Sequence, residues 1–206
     1  MRQIQKIHSL EELESGNYLY QRPADELCTR TTRGIFEWLE LFVFAVALIV
    51  LLFTGFFRVA VVDGDSMKGT LHNGDTIFVS NVFYRPHAGD VIVFQMQDKS
   101  VRVPIVKRVI ATAGQTVEIN YDTWEVRVDG QTVEEAYLTV PEGEKMKVGN
   151  VTFPYTVPQG CVFVLGDNRN DSWDSRYSAV GAIDTRLILG RVSFRILPFS
   201  DFGSIK

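Results

Sequence analysis

The sequence predicts a mostly β fold: a β-barrel or sandwich-like domain behind a single N-terminal transmembrane helix. Three observations carry this. Leu41 to Phe57 runs without a single charged side chain, the only apolar run of such length in the chain. Beyond Arg58 the pattern changes to period two and short apolar runs. Turn signals there recur about every ten residues, as in sandwiches and closed barrels.

Residues 1–34 are polar and mixed in charge and read as an N-terminal tail. Ser9 to Leu13 can start a short helix, with Ser9 as N-cap and Glu12 completing a capping box. Residues 35–57 read as the membrane anchor. Counted from Ile35, the segment has 23 residues, and a helix of that length crosses about 30 Å of hydrocarbon with some tilt. Glu37 and Glu40 would lie at the interface beside Trp38, a residue type favoured there. The run is too long and all-round apolar for a core helix. It starts too late for a cleaved signal peptide, and no Ala-x-Ala follows. Arg22, Arg30 and Arg33 precede it, and Arg58 and Lys68 follow. This slight excess expects a cytoplasmic N-terminus and an extracytoplasmic domain over 58–206.

The strands expected in that domain are 76–79, 90–94, 101–110, 116–119, 124–128, 155–157, 161–165 and 187–194, preceded by an extended segment at Val59 to Val62. Asp129-Gly130 between two of these runs is a hairpin signal. Past Phe57 there are 16 basic and 18 acidic side chains, hence no basic face and no expected nucleic-acid partner. Cys28 and Cys161 lie on opposite sides of the apolar run and lack metal-ligand spacing, so neither a disulfide within the chain nor a metal or other cofactor is expected.

Three stretches can carry chemistry. Ser66 follows Asp63-Gly64-Asp65, a turn that either exposes and orients a nucleophile or is merely solvated. In the apolar strand 103–110, Lys107 and Arg108 point to opposite faces. A strand buried on both sides leaves one cation poorly solvated. A desolvated lysine has a lowered pKa and can take a serine proton, whereas arginine stays charged. Lys107 can equally pair with a carboxylate or reach water. The third stretch, Gly166 to Arg176, is an eleven-residue polar loop straight after a strand. There Asp174 and Arg176 can pair in bidentate fashion, and Ser172 can donate or accept beside an amine. A plain solvated loop fits as well.

Taken together, these stretches resemble the type I signal peptidases, membrane-anchored serine–lysine proteases. Val62-Asp63-Gly64-Asp65-Ser66-Met67-Lys68-Gly69-Thr70-Leu71 looks like their nucleophile box, Val106-Lys107-Arg108-Val109-Ile110 their lysine box, and Gly166-Asp167-Asn168-Arg169 with Ser172 and Asp174-Ser175-Arg176 their last box. The resemblance implies that Ser66 is the nucleophile and Lys107 the general base. It makes Ser172 orient the amine, and Asp174 and Arg176 a structural pair. Val62, Met67, Leu71 and Val106 would form the apolar pocket wall. It implies exported preproteins with small residues before the cut as substrates, and the lipid bilayer and secretion translocon as surroundings. Two departures stand out: Gly69 where the family usually has proline, and Ala111-Thr112-Ala113-Gly114 where it usually has a Gly-Leu-Pro-Gly-like turn; in addition, Gly64 stands where some members have a serine that supports the oxyanion. A non-catalytic factor that binds exported polypeptides for assembly would use the same groove. A self-cleaving repressor-type protease fits less well, given the anchor and the absence of a basic DNA-binding region.

Overall fold

The computed structural model describes residues 24–96, 103–138 and 140–205. The short helix expected at Ser9 to Leu13 lies outside them, as does the first part of the strand expected from Val101. By contacts the chain divides into a unit up to Val50 and a unit from Leu51 onward.

The first unit is helical. The helix α1 spans Ala24–Phe56, 33 residues, so it starts eleven residues before the expected anchor and stops one residue short of its expected end. The sequence explains the early start: Pro23 precedes it, and Asp25 and Glu26 fall in the first turn, where acidic residues suit the helix dipole. From Gly34 to Leu51 its mean hydropathy is 2.2 and none of it is buried, which excludes a core helix. By length and composition this helix can cross a membrane.

Beyond the end of α1, the described residues of the second unit are mostly β, with three short 3-10 turns. Phe57 leaves the helix because it pairs with Ser80 and stacks on Phe78, ring centroids 5.2 Å apart. The strands are β1 (Phe57–Val61), β2 (Thr76–Ser80), β3 (Val91–Phe94), β4 (Ile105–Thr112), β5 (Thr116–Asn120), β6 (Glu125–Val128), β7 (Gln131–Thr132), β8 (Tyr155–Thr156), β9 (Cys161–Leu165), β10 (Ile183–Asp184), β11 (Ile188–Leu197) and β12 (Gly203–Ser204). They form two antiparallel sheets, β1-β2-β11-β3-β4-β9-β10 with β12 beside β11, and β7-β6-β5-β8. The long strand β11 shifts register at Val192/Phe194 and Arg195/Leu197, and such bulges bend a strand and raise its twist. The large sheet curls rather than lying flat.

The expected strands are present within a few residues. Those not anticipated, β7, β10 and β12, are two-residue pairings too short to leave a periodic trace. The expected hairpin is there: Val128 pairs with Gln131, and Asp129 and Gly130 both have positive φ, 53° and 77°, as a type I′ turn requires. Cys161 is a free, half-buried thiol.

Three apolar clusters fill the domain. One, with Met67, Leu71, Ile77, Val79, Val93 and Val192, lies beneath the turn that carries Ser66. A second joins β3, β4 and β9 through Ile92, Phe94, Val109 and Val164. The third, with Ile110, Val117, Val126 and Phe163, packs the small sheet on the large one.

Candidate active site

The turn holding Ser66 is built from the end of β1. Past Val61 the β1–β2 ladder continues, with the Val62 amide donating to Asp75 O (2.8 Å) and the Gly74 amide to Val62 O (2.9 Å). The Gly64 amide then donates to Asn73 Oδ1 at 3.0 Å. Next the backbone closes one tight turn, in which Lys68 N–H bonds Asp65 O and Leu71 N–H bonds Met67 O. Met67 and Leu71, 1% and 0% exposed, fasten this turn to the core and leave the neighbouring Ser66 half-buried at the surface. Gly69 is placed by geometry that proline cannot adopt. Its φ is +114°, whereas the proline ring confines φ to negative values, and a Cβ here would lie 2.7 Å from Tyr137 O.

Strand β4 delivers the amine. Over Ile105 to Arg108 it pairs with β3, and β9 joins it only from Arg108 onward. Lys107 therefore stands where one side of the strand is free of a neighbour. Its Nζ lies 2.7 Å from Ser66 Oγ and also donates to Val106 O at 3.0 Å. Among the described residues no carboxylate stands within ion-pair distance of it. Burial pushes its pKa from the ordinary 10.5 down to about 8, against the opposing pull of Asp174 and Asp167.

The sequence left open which of the two adjacent cations is desolvated. Both are, with Lys107 3% and Arg108 1% exposed. Their partners separate them. Arg108 makes a bidentate pair with Asp167, Nε–Oδ1 2.9 Å and Nη2–Oδ2 2.8 Å, and also donates to Gly89 O and Thr70 Oγ1. Thr70 Oγ1 in turn donates to Asp167 Oδ2 at 2.5 Å. Arg108 is thus a satisfied buried cation, and Lys107 is an amine whose close side-chain partner is a hydroxyl.

The loop after β9 is buried at its charged ends, where Asp167, Arg169, Asp174, Ser175 and Arg176 are at most 2% exposed, while Asp171 and Trp173 face solvent. Asp174 and Arg176 form the expected bidentate pair, at 2.8 and 2.9 Å. Arg176 also donates to the carbonyls of Lys147 and Arg169, and Asp174 accepts from the Gly166 amide. Ser172 Oγ donates to Asp174 Oδ2 at 2.7 Å, and among the described residues no hydrogen bond joins it to the Lys107 amine. The expected orienting contact is thus not formed in this structure: the Ser172 proton goes to Asp174, and its oxygen accepts nothing from the Lys107 amine. Gly166 lets the loop approach the turn: a Cβ there would lie 2.6 Å from Ser66 O and closer still to the Ser172 side chain. Beyond it, Asn168 grips the turn with two bonds, N–H to Ser66 O (3.0 Å) and Nδ2 to Asp65 O (3.1 Å).

A cavity of about 230 Å³ opens at Ser66 and Lys107, between residues 60–64 and 103–106, with Met67 and Val93 in its wall. Val62, Met67 and Val106 are among the residues that line it. Leu71 is not: it is fully buried in the cluster beneath, the anchor of the turn rather than a wall residue. Val93, Val103 and Pro104 are wall residues that the sequence reading missed. Their strand was legible, but which strands flank the turn depends on pairing between distant segments. Larger concavities, of about 400 and 510 Å³, lie elsewhere and contain neither Ser66 nor Lys107.

Residues 35–197 match the family described as "Signal peptidase, peptidase S26". The chain is 35% identical over 194 residues to a signal peptidase I of Bacillus amyloliquefaciens, covering 90% of this chain and 98% of that one. It is 33% identical over 189 residues to signal peptidase I T of Bacillus subtilis (strain 168), covering 88% and 95%. Among solved structures, a signal peptidase I from Enterococcus faecalis V583 aligns with a TM-score of 0.45 at 30% identity, covering 53% of this chain and 98% of that one. With a family match over most of its length and relatives matched nearly end to end, the chain belongs to the signal peptidases of the S26 peptidase family.

Proposed function

We propose that this chain is a membrane-anchored serine endopeptidase that removes signal peptides from exported preproteins after small residues, with Ser66 as nucleophile and neutral Lys107 as general base. The observation that carries the reading is the 2.7 Å approach of Lys107 Nζ to Ser66 Oγ at the edge of a cavity, with the amine pKa lowered to about 8. Nucleophile and base within hydrogen-bond reach is the geometry such catalysis needs.

The chemistry then runs in two halves. Ser66 Oγ attacks the scissile carbonyl carbon while its proton passes to the Lys107 lone pair. The Ser66 N–H, which makes no hydrogen bond among the described residues, faces the oxyanion that forms. Collapse breaks the C–N bond, and the Lys107 ammonium returns the proton to the leaving amine. Water attacks the acyl-enzyme, Lys107 takes its proton, and Oγ departs with a proton from Lys107. The Gly64 amide is committed to Asn73 and does not serve as the second oxyanion donor in this arrangement. Ser172, Asp174 and Arg176 support the site from beneath, through the loop that holds Ser66 O.

An extended peptide fits between residues 60–64 and 103–107, where both segments have unpaired edges, by β-addition. Val62, Met67 and Val106 offer the apolar wall that small side chains would meet. In this reading residues 1–34 are cytoplasmic, the span begins at Ile35, and the β domain is extracytoplasmic; the apolar stretch Gly34–Leu51 and the arginines before it support that topology. The test is cleavage of a preprotein by detergent-solubilised protein, with the cut mapped by mass spectrometry. Ser66→Ala and Lys107→Ala should each abolish cleavage while the folded domain persists. Full activity in either purified variant overturns the proposal.

A further inference from the structure

The turn Glu135–Leu138 touches all three stretches that build the site, although it belongs to none of them. It is closed by the Leu138 amide donating to Glu135 O at 2.9 Å. The Glu135 carboxylate, only 7% exposed, takes both Nη groups of fully buried Arg169 in the loop after β9. Arg169 passes that hold on through Nε to Gly166 O at 3.0 Å. The Tyr137 ring lies over the Arg108 guanidinium, 3.8 Å from its carbon to the ring centroid, in β4. The Tyr137 hydroxyl donates to Glu135 Oε1 at 2.9 Å, and the Tyr137 carbonyl sits against Gly69 in the nucleophile turn.

Such a convergence is more than the turn needs for its own stability. One buried carboxylate, one ring and one carbonyl each meet a different stretch of the site. The Gly69 conformation is what lets the carbonyl in, because any side chain there would collide with it. We propose that Glu135–Leu138 is a strap that sets the Ser66–Lys107 approach, with Tyr137 as a positioning residue that holds Arg108 on Asp167.

The strap rests on the Ser66–Lys107 reading and adds to it the element that keeps the two boxes in register. It also makes a directional statement about charge. The charged groups on the elements against Lys107 are Asp63, Asp65 and Lys68 of the Ser66 turn, Asp167, Arg169, Asp171, Asp174 and Arg176 of the loop, and Arg108 of its own strand; β3 carries none. Asp167 pulls the Lys107 pKa upward, and Arg108 is the cation that neutralises Asp167. Freeing Arg108 from the ring loosens that pairing, so the Lys107 pKa should climb from about 8.

The experiment compares Tyr137→Leu, Tyr137→Phe and Gly69→Ala with the wild type and with Ser66→Ala, all as full-length protein in detergent, folding being followed by circular dichroism. Tyr137→Leu should lose roughly 10- to 100-fold in kcat, the scale of a small misplacement at a catalytic centre, with KM within about threefold. The acid limb of its pH profile should move upward. Tyr137→Phe keeps the ring on Arg108 and should rescue most of the rate. Gly69→Ala keeps every strap side chain and crowds the Tyr137 carbonyl, but at φ +114° it also strains the turn itself, so its kcat loss counts for the strap only when the Lys107 titration moves with it; that joint readout decides the matter if Tyr137→Leu does not fold. The Lys107 side-chain resonance, titrated by NMR in the same proteins, reads the pKa without any turnover. Ser66→Ala that still cuts would overturn the peptidase reading alone, leaving the strap to be judged by that titration. A folded Tyr137→Leu or Gly69→Ala with wild-type kcat and an unmoved Lys107 titration overturns the strap.

Discussion

The Asn168 amide donates to the Ser66 carbonyl across 3.0 Å, joining residues far apart in sequence. Its side-chain amide reaches the neighbouring Asp65 carbonyl at 3.1 Å. The polar loop after β9 is therefore attached to the Ser66 turn at two successive carbonyls, while Lys107 reaches the same turn at Oγ. Serine and lysine are held by different parts of the sheet, and this pair of bonds brings the two parts to one distance.

From that follows the expectation for Asn168→Ala. It deletes the bond to Asp65 but leaves the backbone bond to Ser66. The cost to stability should be about 1 kcal/mol, as for one partly exposed hydrogen bond. The cost to kcat should be larger in proportion, roughly threefold to tenfold, because the turn carries the proposed nucleophile. Thermal melts and single-turnover rates on one preprotein check both. A variant that loses stability but no rate would separate the loop from the chemistry.

The lysine supplies a pH expectation with a definite sign. Its pKa is lowered to about 8, chiefly by burial, so below that pH the amine is mostly charged and cannot accept the serine proton. kcat/KM should rise about tenfold per pH unit up to about 8 and level off above. The same shift acts on stability. The folded pKa lies below the unfolded one, so between about 8 and 10.5 the unfolded chain binds the extra proton and stability rises with pH. Relative to Lys107→Met, the wild type should gain about 2 kcal/mol between pH 7 and 9.5. A flat rate profile from pH 6 to 9, or a stability difference that shrinks over that range, contradicts the assignment.

Much of this was legible before the structure. Strand alternation and the Asp129-Gly130 turn depend on neighbours in sequence, and they fell where expected within a few residues; the helix of the apolar run ends one residue short of its expected end but starts eleven residues early. Ser66 and Lys107 were found through the resemblance of their surroundings, and the fold brings them to 2.7 Å. What could not be read was which partner each buried charge takes. Asp167 stood in the quoted last stretch with no role, yet it is the carboxylate that pairs with buried Arg108. Glu135 and Tyr137 gave no signal, because their partners, Arg169 and Arg108, stand in other elements far along the chain. Leu71 was misplaced because a core anchor and a pocket wall are equally apolar.

Gly69 offers a counter-intuitive expectation. The resemblance noted in the sequence leads one to expect proline there, so Gly69→Pro looks like a restoration. In this chain φ is +114° and the position abuts Tyr137 O, so proline has no compatible conformation. The substitution should cost about 3 kcal/mol or more, lowering Tm by roughly 6–12 °C for a chain of this size. An unchanged or raised melting temperature would mean that the turn readily switches to a negative φ.

Asp174→Asn separates the structural from the electrostatic part of the site. The variant keeps the shape but withdraws the charge from Arg176, whose side chain is fully buried and whose Nε and Nη2 both point at that carboxylate. Leaving a buried guanidinium uncompensated typically costs about 3–5 kcal/mol, so the melting temperature should fall by on the order of 10 °C. Its effect on the base runs the other way from the strap variants. Asp174 raises the Lys107 pKa, and its removal leaves Arg176 nearby as an unbalanced positive charge, so both changes lower it further. At a temperature where the variant is still folded, the acid limb of kcat/KM should therefore move below pH 8 while the plateau rate falls, since Ser172 and the Gly166 amide lose a charged acceptor. Melting curves and a pH series on the same preparation read both effects. An acid limb that moves upward would mean that Lys107 takes its electrostatic setting from groups other than Asp174.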